Sequence, residues 1–204
     1  ISDARYIELE GEDHFPLAGD STAVDREIEH FLSSLVDIRR SPNSDRMLAT
    51  VLFTDIVGST EHATDLGDEK WKELISLHDQ FVRQKIAYYH GKEIKTIGDG
   101  FLVTFDGPGR GVNCADAIRK SVRSLGLEIR SGLHTGEVEV VDHDIAGIAV
   151  NIACRISGLA ASGEILVSST VKDLVVGSNI EFLDRGLHAL KGVSYEWHLF
   201  AANL

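Results

Sequence analysis

"KTIGDGFLVTF", residues 95–105, reads as two short strands meeting at Gly98-Asp99-Gly100. Asp-Gly between apolar stretches is a strong short-range hairpin signal. What flanks this hairpin decides the fold. Upstream, "DEKWKELISLHDQFVRQKIAYYHG" (68–91) has the three- and four-residue apolar spacing of an amphipathic helix, closed by Gly91. Downstream, "RGVNCADAIRKSVRSLG" (110–126) reads as a second helix. Outside these lie "MLATVLFTDIVG" (47–58), a buried-strand run ending in a glycine loop, and "EIRSGLHTGEVEVV" (128–141), read as strand, turn at Thr135-Gly136, strand. Strand, helix, hairpin, helix, strand is the split βαβ order of an α+β, ferredoxin-like βαββαβ sheet with helices on one face.

Further along, "AVNIACRISGLA" (149–160) reads as a third helix, followed by strands near 164–168 and 180–184 and a final "YEWHLFA" strand (195–201). At the other end, Val24, Ile28, Phe31, Leu32, Leu35 and Val36 recur at helical spacing, so an N-terminal helix is expected from about Thr22 to Arg40. A short strand is expected at residues 5–9, and "SPNSD" (41–45) reads as a linker. The expected division is a segment of residues 1–46 and a domain of residues 47–204.

The chain has 204 residues, 43% apolar and 25% charged, which suits a globular domain with its own core. A net charge of −12 argues against a nucleic-acid surface, which needs a basic stripe. Residues 1–45 carry eleven Asp or Glu against four Arg, so −7 of that charge lies there and −5 in the remainder. No apolar run is long enough to span a bilayer, and "ISDARYIELEGEDHF" lacks the basic start and apolar core of a signal peptide. Membrane contact by this segment is therefore not expected. Cys114 and Cys154 are too few for a disulfide framework, so both are expected as small buried residues in a cytoplasmic protein. The nine histidines form no HExxH or similar cluster.

Three stretches carry chemistry. In "VLFTDIVGST" (51–60), Asp55 leaves a buried strand just before Gly58-Ser59-Thr60. It either caps the following turn or helix, or holds a divalent cation while the backbone amides face a phosphate. Asp99 is either a turn residue or a second carboxylate for a two-metal centre suited to in-line phosphoryl displacement. In "DIAGIAVNIACR" (144–155), Asn151 and Arg155 stand i and i+4 on one helix face. They are either simply exposed or meet a polar ligand.

Together and in this order, "FTDIVGST", "KTIGDG" and "DIAGIAVNIACRI" resemble the catalytic domain of class III nucleotide cyclases, which make 3′,5′-cyclic nucleotides from nucleoside triphosphates. The resemblance covers about residues 48–200. It implies Asp55, Ile56 and Asp99 as the metal group for two divalent ions, Mg²⁺ or Mn²⁺. It implies Lys95 and Asp144 as the pair reading the purine, a cationic donor and an anionic acceptor that suit the edge of adenine and make ATP the expected substrate. Asn151 would orient the ribose and Arg155 would stabilise charge on the α-phosphate. Gly58, Ser59, Thr60, Arg130 and Lys191 would contact phosphates. The family's site forms between two domains arranged head to tail, which implies a homodimer. The N-terminal "YIELEGEDHFPLAGD" (6–20) resembles the end of an α/β-hydrolase domain, with His14 at the position of a triad histidine, yet the chain has no G-x-S-x-G and cannot run that reaction.

Overall fold

The computed structural model describes residues 24–29, 31 and 46–204. Residues 24–29 and 31 are helical, within the helix expected over 22–40. The expected strand at 5–9, the linker at 41–45 and His14 lie outside the described residues. Residues 46–204 form one compact unit.

An interior strand of its sheet is β1 (Arg46–Ile56), whose residues 49–53 are all buried. β1 pairs antiparallel with β3 (Gly100–Phe105) on one side and with β4 (Ile129–Val141) on the other. β2 (Lys92–Ile97) completes the hairpin with β3. The order β2-β3-β1-β4, antiparallel throughout, is the ferredoxin-like arrangement that the sequence order implies. Beyond β4 the sheet continues through β6 (Ile165–Ser168), parallel to β4, then β8 (Glu196–Asn203) and the edge strand β7 (Glu181–Ala189). A short β5 (Asp144–Ala146) folds back on the end of β4.

Helices α2 (Asp68–Tyr88) and α3 (Pro108–Val122) cover one face over a core that includes Leu52, Phe101, Val103, Phe105, Ile118 and Leu133. The opposite face packs Ala49, Val51, Phe53 and Leu102 against Ala149 and Ala153 of α4 (Ile148–Leu159). The two helices of the split βαβ order thus share one face as expected, and the one addition is that α4 covers the other. Consecutive residues Val51 and Leu52 are both fully buried, so each face of the strand needs its own cover.

A correction concerns the turn expected at Thr135-Gly136. β4 runs straight through it, with Thr50 opposite Thr135 and Ala49 opposite Gly136, and the two threonine hydroxyls are 2.8 Å apart. The glycine serves packing instead: a Cβ there would lie 2.9 Å from the Ala149 Cβ. At Gly132, four residues earlier on β4, a Cβ would meet the Ser157 amide at 2.1 Å. Two glycines on one strand therefore let α4 lie directly on the sheet.

Two short helices, α1 (Ser59–Leu66) and α5 (Ser169–Leu174), fill stretches to which the sequence pattern assigned no element of their own. Cys114 is buried as expected, and burial pushes its thiol up to about 12. Cys154 is exposed, which corrects the expectation that both cysteines are buried. It shares the outer face of α4 with Asn151 and Arg155, while Ala149, Ile152, Ala153 and Ile156 face inward.

Candidate active site

Asp55 is the last residue but one of β1, where the strand emerges from the core. After it, Gly58 adopts φ 69°, ψ 25°, a left-handed conformation open to glycine at little cost, and α1 begins at Ser59 and Thr60. No side chain caps that helix start. Its first amides, from Ser59 and Thr60, are free to face an anion, as helix N-termini do.

The hairpin tip is held against this point. Phe101 donates its amide to the Thr54 hydroxyl at 3.1 Å, and a Cβ on Gly100 would lie 2.0 Å from the Thr54 carbonyl oxygen. Only a residue without a side chain permits that approach, which carries Asp99 to the end of β1 beside Asp55. The Asp99 Oδ2 atom is buried and has no hydrogen-bond partner. An unpaired buried acceptor is costly, by about 1–3 kcal/mol and more when charged. A cation resolves that cost, so the site fits a hard divalent ion.

No group of three His, Cys, Asp or Glu among the described residues could enclose a metal. The donors available to an ion would instead be two carboxylates and the Ile56 carbonyl, the only acceptor that residue has. Such a partial set suits Mg²⁺ or Mn²⁺, whose remaining positions are commonly filled by water and substrate phosphate. Asp55 also has a protein partner. Arg130, its direct cross-strand neighbour on β4, donates Nε–H to Asp55 Oδ2 at 2.8 Å and Nη2–H to the same oxygen.

Lys95 and Asp144, 49 residues apart, form an ion pair across β2 and β5, with Lys95 Nζ donating to Asp144 Oδ2. Asp144 Oδ1 accepts the Ile145 amide at 2.8 Å. The lysine's hydrogen bond, and after it the amide, hold this carboxyl below the usual carboxylate range. The pair is about half exposed and thus open to a ligand.

Asn151 and Arg155 project together from the outer face of α4. Arg155 lines a shallow cavity of about 270 Å³ with Cys154, Gly158, Leu159 and Lys191, the last from the loop after β7. Neither Arg155 nor Lys191 makes an ion pair with any described residue. Two uncompensated cations in one cleft make it attractive to phosphate.

The structure therefore gathers the named residues into three groups. Asp55, Ile56 and Asp99 stand with Arg130 and the start of α1; Lys95 stands with Asp144; Arg155 and Lys191 share a cleft beside Asn151. No hydrogen bond or ion pair among the described residues joins the carboxylate group to the α4 group.

His78 escaped the sequence reading. It is 1% exposed on the inner face of α2, its Nδ1 is 3.1 Å from Asp79 Oδ1, and its Nε2 is buried without a partner. Burial lowers its pKa, opposed by Asp79 and by the charge of Asp99. Its spacing with buried Val82 and Ile86, at i+4 and i+8, was the signal that could have placed it inside.

Against this geometry, residues 44–201 match the family model of the adenylate and guanylate cyclase catalytic domain. A putative adenylate cyclase of Rhizobium meliloti is 29% identical over 171 residues; the match covers 76% of this chain but only 28% of that protein's length. Among solved structures, the adenylyl cyclase CyaB of P. aeruginosa superposes with a TM-score of 0.72 at 28% identity, covering 78% of this chain and 95% of that one. The guanylyl cyclase Cya2 does so with a TM-score of 0.68 at 26% identity, covering 78% and 92%. With the family model matched over most of this chain and the fold shared with solved cyclase domains, this chain belongs to the class III nucleotide cyclases, as an adenylate and guanylate cyclase catalytic domain.

Proposed function

We propose that residues 47–204 convert ATP to 3′,5′-cyclic AMP and pyrophosphate at composite sites of a head-to-tail homodimer, with residues 1–46 as a preceding segment. The observation that carries the choice of ATP is the Lys95–Asp144 pair. Adenine offers a ring-nitrogen acceptor and an exocyclic amino donor, which a lysine and a carboxylate complement. Guanine would turn its carbonyl oxygen toward Asp144.

Asp55, Asp99 and the Ile56 carbonyl hold two divalent ions, Mg²⁺ or Mn²⁺. When bound, these supply charge neutralisation at the phosphates and a lowered pKa at the ribose 3′-hydroxyl. The amides of Gly58, Ser59 and Thr60, with Arg130 and Lys191, take the phosphates. Asn151 orients the ribose. As its 3′-oxygen gives up its proton to water and attacks the α-phosphorus, the bond from that phosphorus to the bridging oxygen breaks and pyrophosphate leaves with the electron pair. Arg155 meets the negative charge that builds at the α-phosphate, an interaction stronger in the transition state than in the bound substrate. No side-chain base is required.

The homodimer is supported by the separation of the carboxylate and α4 groups within one chain, since each lacks what the other carries. A guanylyl or dual-specificity cyclase is the second reading, favoured by the likeness to Cya2. An inactive nucleotide-binding module is the third.

The deciding assay incubates the protein with ATP or GTP and Mg²⁺ or Mn²⁺ and measures cyclic product. Cyclic AMP should dominate, and Lys95→Glu with Asp144→Cys should shift kcat/KM toward GTP by roughly 100-fold. An unchanged preference would remove the purine role from this pair. No product from either nucleotide would leave the binding module standing.

A further inference from the structure

The two carboxylates of the metal group are not equivalent. Both contacts from Arg130 land on one atom, Asp55 Oδ2. A carboxylate oxygen has two lone-pair sites, so the fork fills both. Asp55 Oδ1 makes no hydrogen bond with any described residue, and Asp99 Oδ2 is buried and unpartnered. Two acceptor atoms are thus ready for a cation, and a third already has one. Register enforces this: Asp55 and Arg130 are direct partners on adjacent strands, so their side chains leave the sheet side by side.

We infer that Arg130 is a built-in competitor that orders metal loading. The first divalent ion binds between Asp99 Oδ2 and Asp55 Oδ1 while the fork stays on Oδ2. A second ion gains Asp55 Oδ2 only when Arg130 leaves. Without nucleotide the released guanidinium, a planar bidentate donor, turns to water, which holds the second ion to higher Mg²⁺; with nucleotide bound it passes to the phosphates and stays paired. Metal loading and substrate arrival are coupled through one side chain. This inference rests on the proposed assignment of Asp55 and Asp99 to metal.

Nuclear magnetic resonance of the ¹⁵N-labelled full chain tests it without turnover. Mg²⁺ is titrated in the absence of nucleotide, following the Gly100 amide beside Asp99 and the Arg130 Nε–H signal, identified by its loss in Arg130→Lys. The Gly100 amide should shift in a first phase while Arg130 Nε–H is unmoved, and Arg130 Nε–H should broaden or shift only in a second phase at higher Mg²⁺. Arg130→Gln should lower the midpoint of the second phase roughly five-fold, the scale of a partly exposed ion pair. The wild-type titration stands by itself if that variant folds poorly. Simultaneous movement of both signals, or unchanged midpoints in Arg130→Gln, overturns the ordering. A Gly100 response that survives both Asp55→Asn and Asp99→Asn, or no response at all, overturns the metal assignment instead.

Discussion

Burial decides the charge of several single residues here, and His134 is the clearest. It is 5% exposed on β4, with Nδ1 2.8 Å from the Ser168 hydroxyl and its ring edge-on to Trp197. Taking the imidazole out of water disfavours its charged form and pushes its pKa to about 4. Above the unfolded value near 6.5 both states are neutral and the stability contribution is complete. Between about 6.5 and 4 the unfolded chain binds the proton and the folded chain does not, so stability falls as pH falls. The loss is at most about 3 kcal/mol, and His78, also lowered by burial, acts in the same direction. Urea unfolding from pH 7.5 to 4.5 should show this decline, and His134→Gln should flatten it; an equal slope in both proteins would assign the decline to other groups.

Among the elements, the contact between β4 and α4 bears most directly on the proposed site, because α4 carries Asn151 and Arg155. Gly132 and Gly136 let the helix backbone sit on the strand, and Gly100 plays the same part where the hairpin tip meets β1. Gly132→Ala would drive a methyl group into the Ser157 backbone and force α4 outward. The expected cost is about 1–3 kcal/mol, typical of overpacking, with kcat reduced more than metal affinity because the carboxylate group lies elsewhere. Denaturant midpoints and Mn²⁺ binding check this; a loss of metal affinity as large as the loss of kcat would contradict the separation of the two groups. These glycines also show where sequence reading fails. A glycine flanked by strand residues marks either a turn or a close approach, and only the partner across the gap tells which. Gly98, at φ 63° in the hairpin, is the first kind; Gly136 is the second.

At the scale of the whole molecule, the prediction concerns the shared site. Asp55→Ala and Arg155→Ala chains should each be nearly inactive alone. Mixed in equal amounts, half the dimers carry one intact site, so activity should return to about a quarter of wild type. Scattering measurements establish whether dimers are present; no recovery with dimers present would place the whole site within one chain.

By itself the sequence determined the order of the main strands and of the three long helices of the domain, the amphipathic face of α2, the Asn151–Arg155 face of α4, and the three motifs that identify the family. These are local: periods of two and 3.6, turn residues, and short runs of fixed residue types. Tertiary structure alone decided that α4 covers the opposite face from α2 and α3, that Gly136 is a contact and not a turn, and that Cys154 is exposed. It also decided that Arg130 rests on Asp55, 75 residues away, and Lys95 on Asp144. Such pairs follow from strand register and helix docking, which are set by packing across the whole sheet and leave no periodic trace in the chain.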